Sequence, residues 1–286
     1  MNRQPPVAPA LASLTGFLLR RAYALTVDRA RSSLGDDANA RDVGILMVLE
    51  ERGPMSQGAL ADLMGVNRTI MVKLIGALEE GGYVLRERNP ADRRAYALTI
   101  TDAGRRRHVD LLAELSDVEE AITANLDSNQ STRLNSLLRQ LLSEAALTTL
   151  PLLRDHPGFL ITAAYHEALT RAVDALSPIG IEPRHFGALV VIDRDGPCTQ
   201  QHVAERLGVS APGVLPVIDD LDERGLVDRT RVASDRRSYD LTLTPTGLDR
   251  LNAALDRITS VNADIAERLG GTDDELRDLL RTVVGL

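Results

Sequence analysis

The chain repeats itself at a constant spacing. Asp92-Arg93-Arg94 recurs as Asp235-Arg236-Arg237, and 235 − 92 = 143. With that offset held, the stretch from Gly53 to Gly104 aligns with the stretch from Gly196 to Gly247 without a gap. Many matched residues are glycine, arginine or aspartate, whose side chains do not fill hydrophobic cores, so shared composition does not explain the register. The repeat predicts two copies of one domain, at residues 1–153 and 154–286.

Length and composition agree with this interpretation. At roughly 100–200 residues per domain, 286 residues fit two domains. The hydrophobic share of 44% and the charged share of 26% are typical of soluble globular proteins. Apolar runs stay well short of the ~20 residues that cross a bilayer, and we expect no signal peptide. The single cysteine, Cys198, excludes an intrachain disulfide and fits a reducing, cytoplasmic setting.

The charge and the titratable residues exclude several classes of function. A net charge of −8 gives no general attraction to nucleic acid, so any DNA contact must come from local patches. The five histidines show no metal-ligand spacing, and the chain has no phosphate-binding loop or nucleophile elbow. The sequence therefore predicts no catalytic residues, no metal, no cofactor and no enzyme.

Hydrophobic periodicity predicts a mainly α-helical chain with two small β-hairpins. In the first half, helices are expected at 11–34 and 41–51, followed by a short helix capped by Ser56 and a fourth helix capped by Asn67. A helix, a short glycine turn and a second helix form the helix-turn-helix signature. Strands at 83–88 and 94–100 flank a polar turn, and a hairpin in this place is a wing.

The remaining helices follow the same order in both halves. Thr101 is expected to cap a long fifth helix, and a sixth follows at 128–147. The second half begins with helices at 159–176 and 183–194, and Thr272 with Glu275 forms an expected capping box. Pro212 and Pro216 lie in the copy of the fourth helix, so that helix is expected to begin late or to kink.

This ordered set resembles the MarR family of bacterial transcription regulators. The residues that carry the resemblance in the first half are Gly53 to Gln57, Ala61, Leu63, Gly65, Val66, Leu78, Gly82 to Val84, Asp92 to Arg94, Leu98, Thr99, Thr101 and Gly104. Those in the second half are Gly196 to Gln200, Ala204, Leu207 to Val209, Leu221, Gly225 to Val227, Asp235 to Arg237, Leu241, Thr242, Thr244 and Gly247. The combination is specific, whereas any one part of it is weak.

The resemblance implies a winged helix-turn-helix fold and an arrangement of two domains. Family members are usually homodimers joined by their first, fifth and sixth helices. A chain with two copies is thus expected to be a covalent pseudo-dimer, either monomeric or paired further as a homodimer. Tethering raises the effective concentration of the second half to about millimolar and allows the halves to diverge.

The resemblance also places double-stranded DNA against the fourth helix and the wing. The candidate DNA-binding residues are Asn67, Arg68, Thr69, Lys73, Arg86, Arg88, Arg93, Arg94, Arg236 and Arg237. Arg68 and Lys73 fit guanine edges or phosphates, and the wing arginines fit the minor groove. The alternatives are a solvated helix face, an ion pair between one wing arginine and Asp92, and surface solubility for Arg86 and Arg88.

The second copy differs at the fourth helix, which has no basic residue. Asp219 and Asp220 are expected to point outward near its end. We therefore expect the second half to contribute its wing and phosphate contacts but little recognition of bases.

Aromatic and histidine residues on the first two helices of the halves suggest an effector site. The candidate residues are Phe17, Tyr23, Tyr165, His166, His185 and Phe186. By resemblance the effector is a small aromatic or anionic molecule; the alternative for each residue is core packing. Cys198 is either an oxidant sensor or a small packing residue.

Together these features predict a ligand-responsive DNA-binding transcription regulator, acting as a repressor. The alternative is a ligand- or partner-binding protein on the same fold that has lost sequence-specific DNA binding. The paired Asp-Arg-Arg wings favour the first interpretation, and the acidic fourth helix of the second half favours the alternative.

Overall fold

A computed structural model describes residues 9–34, 40–64, 66–88, 96–143, 155–232 and 235–286. The fold class is confirmed as mainly α-helical with two small β-wings. The elements of the first half are α1 (Pro9–Ala12), α2 (Thr15–Leu34), α3 (Ala40–Arg52), α4 (Gln57–Leu63), α5 (Arg68–Glu80), β1 (Val84–Arg88), β2 (Tyr96–Ile100), α6 (Asp102–Thr123) and α7 (Ser128–Leu141).

The second half repeats this order. Its elements are α8 (Pro157–Leu176), a 3₁₀ turn (Ser177–Ile179), α9 (Pro183–Asp195), β3 (Cys198–Thr199), α10 (Gln200–Leu207), α11 (Ala211–Glu223), β4 (Val227–Val232), β5 (Asp235–Leu243), α12 (Pro245–Arg268) and α13 (Asp273–Val284). None of the helices in the described ranges has the length and apolar character that a bilayer crossing requires.

The two wings share their pairing pattern. In the first, β1 and β2 are antiparallel with Arg86 opposite Leu98. In the second, β5 lies between β3 and β4, with Arg229 opposite Leu241. The third strand also has a counterpart: Cys198 pairs with Leu241, and Met55 forms a single bridge to Leu98 at the matching position of the first copy. The constant offset in the sequence is thus a constant register in the sheets.

Two matched glycines let the long helices approach the backbone before the wing. A Cβ atom on Gly104 would lie 2.1 Å from the Tyr83 carbonyl oxygen, and one on Gly247 would lie 1.9 Å from the Leu226 carbonyl oxygen. No other residue type fits such an approach without displacing backbone. The hydroxyl of Thr101 fixes the same corner, because it accepts a hydrogen bond from the Gly104 amide and donates one to the Gly82 carbonyl.

The chain forms two compact units whose limits differ from the expected boundaries at 1–153 and 154–286. One unit contains Met1–Ala22 and Ala164–Leu286, and the other contains Tyr23–Ala163. Leu11 is buried in the core of the first of these units, and Leu14 and Phe17 pack against that core. Arg281 also donates a hydrogen bond to the Ala12 carbonyl at 3.0 Å. These contacts join the N-terminal residues to the second half.

Each unit has its own hydrophobic core beneath its helix-turn-helix. In the unit of Tyr23–Ala163 the core joins α3, α4, α5 and the wing, through residues such as Leu46, Leu60, Ile75 and Leu98. In the other unit the matching residues Leu189, Val203, Ile218 and Leu241 belong to the core. Each core fixes the buried side of a fourth helix and leaves the opposite side exposed.

Several local expectations were wrong. The helix expected at 11–34 is interrupted, since α1 ends at Ala12 and α2 begins at Thr15. The sixth helix ends at Leu141 because Leu142 is extended. Thr272 makes no side-chain cap at α13; its hydroxyl donates to the Leu269 carbonyl instead.

The proline-bearing helix also differs from its expectation of a late start. It begins at Ala211, the counterpart of Arg68, because Ser210 caps it by accepting a hydrogen bond from the Gly213 amide. Pro212 lies in the first turn, where a free amide is not needed. Pro216 lies inside the helix and removes one backbone bond, yet α11 runs to Glu223.

Candidate nucleic-acid interface and ligand cavity

Helix α5 presents an exposed surface because its opposite side is anchored in the core. Met71, Ile75 and Leu78 are buried at helical spacing. The exposed residues of its first two turns are Arg68, Thr69, Ile70, Val72 and Lys73. Asn67 is the N-cap of α5, and its side chain accepts a hydrogen bond from the Thr69 amide at 2.8 Å. Asn67 therefore positions the start of the helix that carries the cations.

The two cations of this surface are available for contact. Arg68 is 78% exposed and lies 3.9 Å from the exposed Asp62 carboxylate, a separation typical of a weak surface pair. Lys73 is exposed and, within the described ranges, forms no ion pair. The positive charge of this helix thus lies on its N-terminal half, on the side turned away from the core.

Arg86 lies in an internal network. Its Nε and Nη2 atoms are each 3.3 Å from the Glu79 carboxylate of α5, and Nη2 donates to Gln57 Oε1 at 2.9 Å. These bonds join β1 to α5 and α4. Arg88, two residues further along β1, is exposed and has no ion-pair partner among the described residues.

Four predicted arginines remain. Arg93 and Arg94 lie outside the described residues. Arg236 and Arg237 lie on strand β5, for which the structure describes the backbone at these positions and not the side chains. Their roles remain predictions from the sequence.

The fourth helix of the second copy, α11, has different chemistry. Val214, Val217, Ile218 and Leu221 are buried in the same phase as in α5. The exposed residues of its first two turns are Pro212, Gly213, Leu215 and Pro216, none of which is charged. This surface offers neither a cation nor a side-chain hydrogen-bond donor.

Three carboxylates of α11 are paired within the domain, although Asp219 and Asp220 were expected to point outward. Arg229 contacts Asp219 and lies 3.1 Å from Asp222 Oδ2. Asp220 Oδ2 lies 2.8 Å from His185 Nε2 and 3.5 Å from Arg224. These internal contacts offset the negative charge near the end of the helix.

His185 is part of the fold on this side. The ring is fully buried, and its Nδ1 accepts a hydrogen bond from the Glu182 amide at 3.2 Å. Burial lowers the pKa of His185 and outweighs the opposing effect of the nearby Asp220 carboxylate. A neutral ring without a proton on Nδ1 can accept the Glu182 amide, while Nε2 faces Asp220 at 2.8 Å without the geometry of a hydrogen bond.

A cavity of about 530 Å³ lies within the unit of Met1–Ala22 and Ala164–Leu286. Its walls come from α1, α2, α8, α9, α10, α11 and α12 and are mainly apolar. Residues lining it include Leu14, Phe17, Tyr165, Leu169, Ala172, Phe186, Val214, Pro216, Ile258 and Val261. A cavity of this size and character is suited to a small organic molecule.

Arg20 gives the cavity a positive charge. Its guanidinium carbon lies 5.1 Å from the centre of the Phe17 ring, and its Nη2 donates a hydrogen bond to the Leu207 carbonyl. Burial lowers the pKa of Arg20, and the neighbouring Arg21 lowers it further. No carboxylate pairs with Arg20 among the described residues, whereas Arg184 at the cavity is paired with Glu182 at 2.8 Å.

The structure brings together three of the six predicted effector residues. Phe17, Tyr165 and Phe186 line the cavity. His166 is exposed and His185 is buried against Asp220, and neither lines it; Tyr23 belongs to the other compact unit. Arg20 was missed, although it lies on the same helix as Phe17 at the three-residue spacing that shares a face.

Cys198 is buried on strand β3 and is unsuited to sensing oxidants. Burial raises the pKa of its thiol to about 11, and the Asp195 and Asp240 carboxylates add to this effect. Thiolate is the reactive form, so the thiol is protected at neutral pH. No group of three histidine, cysteine or acidic residues suited to a metal ion occurs among the described residues.

Comparison with known proteins places both helix-turn-helix regions in one family. Models of the MarR family match residues 39–96 and 179–238. A candidate transcriptional regulatory protein for the hcr operon of Thauera aromatica is 36% identical over 94 residues, which is 29% of this chain and 57% of that protein. The chain spans about half the length of the curated relatives it matches.

Solved structures give similar matches to single copies. The transcriptional repressor CouR, bound to a 23-mer DNA duplex, is 30% identical, with 41% of this chain and 82% of that chain covered and a TM-score of 0.39. CouR from Rhodococcus jostii RHA1 bound to p-coumaroyl-CoA is 28% identical, with 46% and 94% covered and a TM-score of 0.42. With a MarR family match in each half, the chain is a tandem arrangement of two MarR-like regions.

Proposed function

We propose that this protein is a transcription regulator that binds double-stranded DNA, reads bases with α5 and responds to a small effector held in the cavity of the unit formed by Met1–Ala22 and Ala164–Leu286. The observation that carries the proposal is the exposed cationic surface of α5, held on a buried helix-turn-helix framework and followed by a wing. The family match in both halves and the regulators among the relatives support it.

The chemistry of α5 fits a major groove. Arg68 and Lys73 reach guanine edges or phosphates, and Thr69 reaches a phosphate near the helix N-terminus, where the helix dipole also favours an anion. Ile70 and Val72 are 41% and 55% exposed and offer apolar contacts to thymine methyl groups. The pattern pairs two charged contacts with two apolar ones.

The second half takes a different part in binding. The exposed residues of α11 carry no cation, so we assign base reading to α5 and backbone contacts to the second wing. The internal pairing of Asp219, Asp220 and Asp222 limits their repulsion of phosphates. One chain would then act as a covalent pseudo-dimer with unequal halves, which a mass of 31.0 kDa in solution tests directly.

The cavity fits an amphipathic molecule with an aromatic or acyl body and one anionic group. Apolar walls take the body, and Arg20 takes the anion because a partly buried guanidinium with no carboxylate partner among the described residues gains most from one. Val214 and Pro216 of α11 belong to the wall, so a bound molecule contacts this helix. We expect occupancy to weaken DNA binding.

Fluorescence anisotropy with two duplexes tests DNA binding. One is taken from the region upstream of the protein's own coding sequence, and the other is a scrambled duplex of equal length and composition. We expect tighter binding to the first, with affinity that falls as salt rises. Equal affinity for both duplexes would leave the alternative, a fold that has lost sequence-specific DNA binding.

Substitutions on α5 and α11 test which of the two helices contacts the bases. Arg68→Ala and Lys73→Ala should each cost ~1–3 kcal/mol on the upstream duplex. Arg106→Ala removes an exposed cation from α6 and serves as the matched control. Leu215→Ala on α11 should leave affinity unchanged. Equal losses from the α5 and α11 variants would contradict unequal halves.

A pair of dyes tests the cavity. 1-Anilinonaphthalene-8-sulfonate is anionic, and N-phenyl-1-naphthylamine has a similar body without the charge. Arg20→Met should weaken the anionic dye at least about tenfold and spare the neutral one. Arg184→Met, which removes an exposed cation already paired with Glu182, should have a smaller effect. Equal effects on both dyes would exclude Arg20 as the anion ligand.

A further inference from the structure

The two wings share an exposed arginine–tyrosine pair that base reading does not use. Arg88 lies opposite Tyr96 in the first wing, and Arg231 lies opposite Tyr239 at the matching position of the second. Tyr96 is 53% exposed and Tyr239 is 39% exposed. The chain has only five tyrosines, and two of them occupy this equivalent site, so the pair is a repeated feature of the wing.

The register places both pairs on the side of the wing that faces the fourth helix. Strand residues two apart point to the same side of a sheet. Arg86 contacts Glu79 of α5 and Arg229 contacts Asp222 of α11, so these arginines define the helix-facing side. Arg88 and Arg231 lie two residues further toward the wing tip, about 7 Å along the strand.

The second pair has defined geometry. The Arg231 guanidinium carbon lies 5.9 Å from the centre of the Tyr239 ring, which is the distance of a cation–π contact. A shift of register follows directly after Arg231, so this pair is the last one before the strand becomes irregular. The ring lies on one side of the guanidinium, and both side chains are exposed, so their donor groups are accessible from solvent.

We propose that Tyr96 with Arg88, and Tyr239 with Arg231, bind the DNA backbone in the angle between the fourth helix and the wing. The guanidinium and the phenol hydroxyl both donate hydrogen bonds to phosphate oxygens, and the ring packs on the adjoining deoxyribose. A charged guanidinium beside a neutral hydroxyl donor suits the regularly spaced phosphates of a DNA backbone. The contact is independent of sequence and exists in both copies, including the copy whose fourth helix lacks cations.

This inference rests on the proposed function, and its test uses the same full-length chain and the same two duplexes. The central variant is Tyr96→Phe with Tyr239→Phe, which keeps both rings and removes only the hydroxyls. Its affinity should fall about 2- to 12-fold for each lost hydrogen bond, alike on the upstream and the scrambled duplex. The slope of affinity against salt should stay the same, because no charge is lost.

The arginines give the complementary result. Arg88→Ala and Arg231→Ala should each reduce the salt slope by about one. Leu85→Ala and Thr230→Ala change exposed residues on the other side of the same strands and serve as controls with unchanged affinity. Thermal unfolding of every variant checks that the wing is intact.

The outcomes separate the two proposals. If the upstream duplex is not preferred but the phenylalanine variant weakens both duplexes, the backbone contact stands and the regulator proposal falls. If the wild type prefers the upstream duplex and the phenylalanine variant binds as tightly, the tyrosines serve only the wing and this inference is overturned. Absence of binding to either duplex overturns both.

Discussion

The Arg86 guanidinium lies 3.3 Å from the Glu79 carboxylate and joins the wing strand β1 to the end of helix α5. The contact recurs at the constant offset, with Arg229 lying 3.1 Å from Asp222. Arg86 was a candidate for phosphate contact or for surface solubility, and in the structure its side chain is bound to Glu79 and Gln57 within the domain. In both copies the pair sets the position of the wing relative to the fourth helix.

This pair gives a prediction on stability. Arg229 is 23% exposed and contacts two carboxylates, so Arg229→Ala leaves Asp219 and Asp222 facing each other and should cost about 1–2 kcal/mol. Arg86 is 39% exposed and contacts one carboxylate, so Arg86→Ala should cost about 0–1 kcal/mol. Urea unfolding measures both, and a larger loss from Arg86→Ala would contradict the assignment.

DNA binding separates a structural arginine from a contacting one. Arg86→Ala should leave the salt slope of DNA affinity unchanged, because the guanidinium is already held by Glu79 and Gln57. Arg88→Ala, two residues along the same strand, should lower it. If the salt slope falls by the same amount in both variants, Arg86 leaves its network to bind phosphate.

The repeat and the helical pattern predicted most of the framework. The start of α5 followed from Asn67, because cap residues act within three residues and are visible in sequence. The start of α11 did not, because its two prolines predicted a late start whereas the cap at Ser210 sets it at Ala211. The partner of Arg86 could not be predicted, since the pair depends on how β1 packs against α5. The packing of the N-terminal residues against the second half could not be predicted either, because an apolar helix face does not specify which core buries it.

The residues of the cavity were also only partly predictable from the sequence. Aromatic clustering found Phe17, Tyr165 and Phe186, because their size and rarity are visible in the sequence. It also selected His185, whose role depends on Asp220, a residue 35 positions away that only the fold brings within 2.8 Å. Residue type showed which aromatic and histidine residues lie close together in the fold. It could not show which of them line the cavity and which, like His185, are buried in the domain.

Cys198 should react slowly with thiol reagents in the native protein. Its thiol is 6% exposed, and burial raises its pKa to about 11, so little thiolate exists at neutral pH. Ellman's reagent should modify it slowly in buffer and rapidly in denaturant, and hydrogen peroxide should leave DNA affinity unchanged. Fast native modification, or release of DNA by peroxide that Cys198→Ala abolishes, would restore the sensor interpretation.

The contact between His156 and Glu119 should make stability depend on pH. His156 Nδ1 lies 2.7 Å from Glu119 Oε1, and this hydrogen bond raises the pKa of His156 against the opposing effect of burial. The folded state therefore binds the proton more tightly than the unfolded state. The stabilisation is complete below the unfolded pKa of about 6.5 and is lost as pH rises through the higher folded pKa.

His156→Gln tests this dependence. Urea unfolding of the wild type from pH 5.5 upward should show the loss of stability, and the variant should show a flatter profile over the same range. His166→Gln, at an exposed histidine, serves as the control and should keep the wild-type profile. A wild-type slope that survives in His156→Gln would assign the dependence to another group.

Two glycines with opposite surroundings give a matched test of the repeated corner. A Cβ on Gly104 would lie 2.1 Å from the Tyr83 carbonyl oxygen, so Gly104→Ala must displace the start of α6 from the wing and should cost more than about 2 kcal/mol. Gly76 lies inside α5 with no atom near its Cβ position, so Gly76→Ala should stabilise the helix by up to about 1 kcal/mol. Urea unfolding compares them, and the second-half variant Gly247→Ala should behave like Gly104→Ala because its Cβ would lie 1.9 Å from the Leu226 carbonyl oxygen. Similar stability of Gly104→Ala and Gly76→Ala would mean that the long helix does not depend on this close approach.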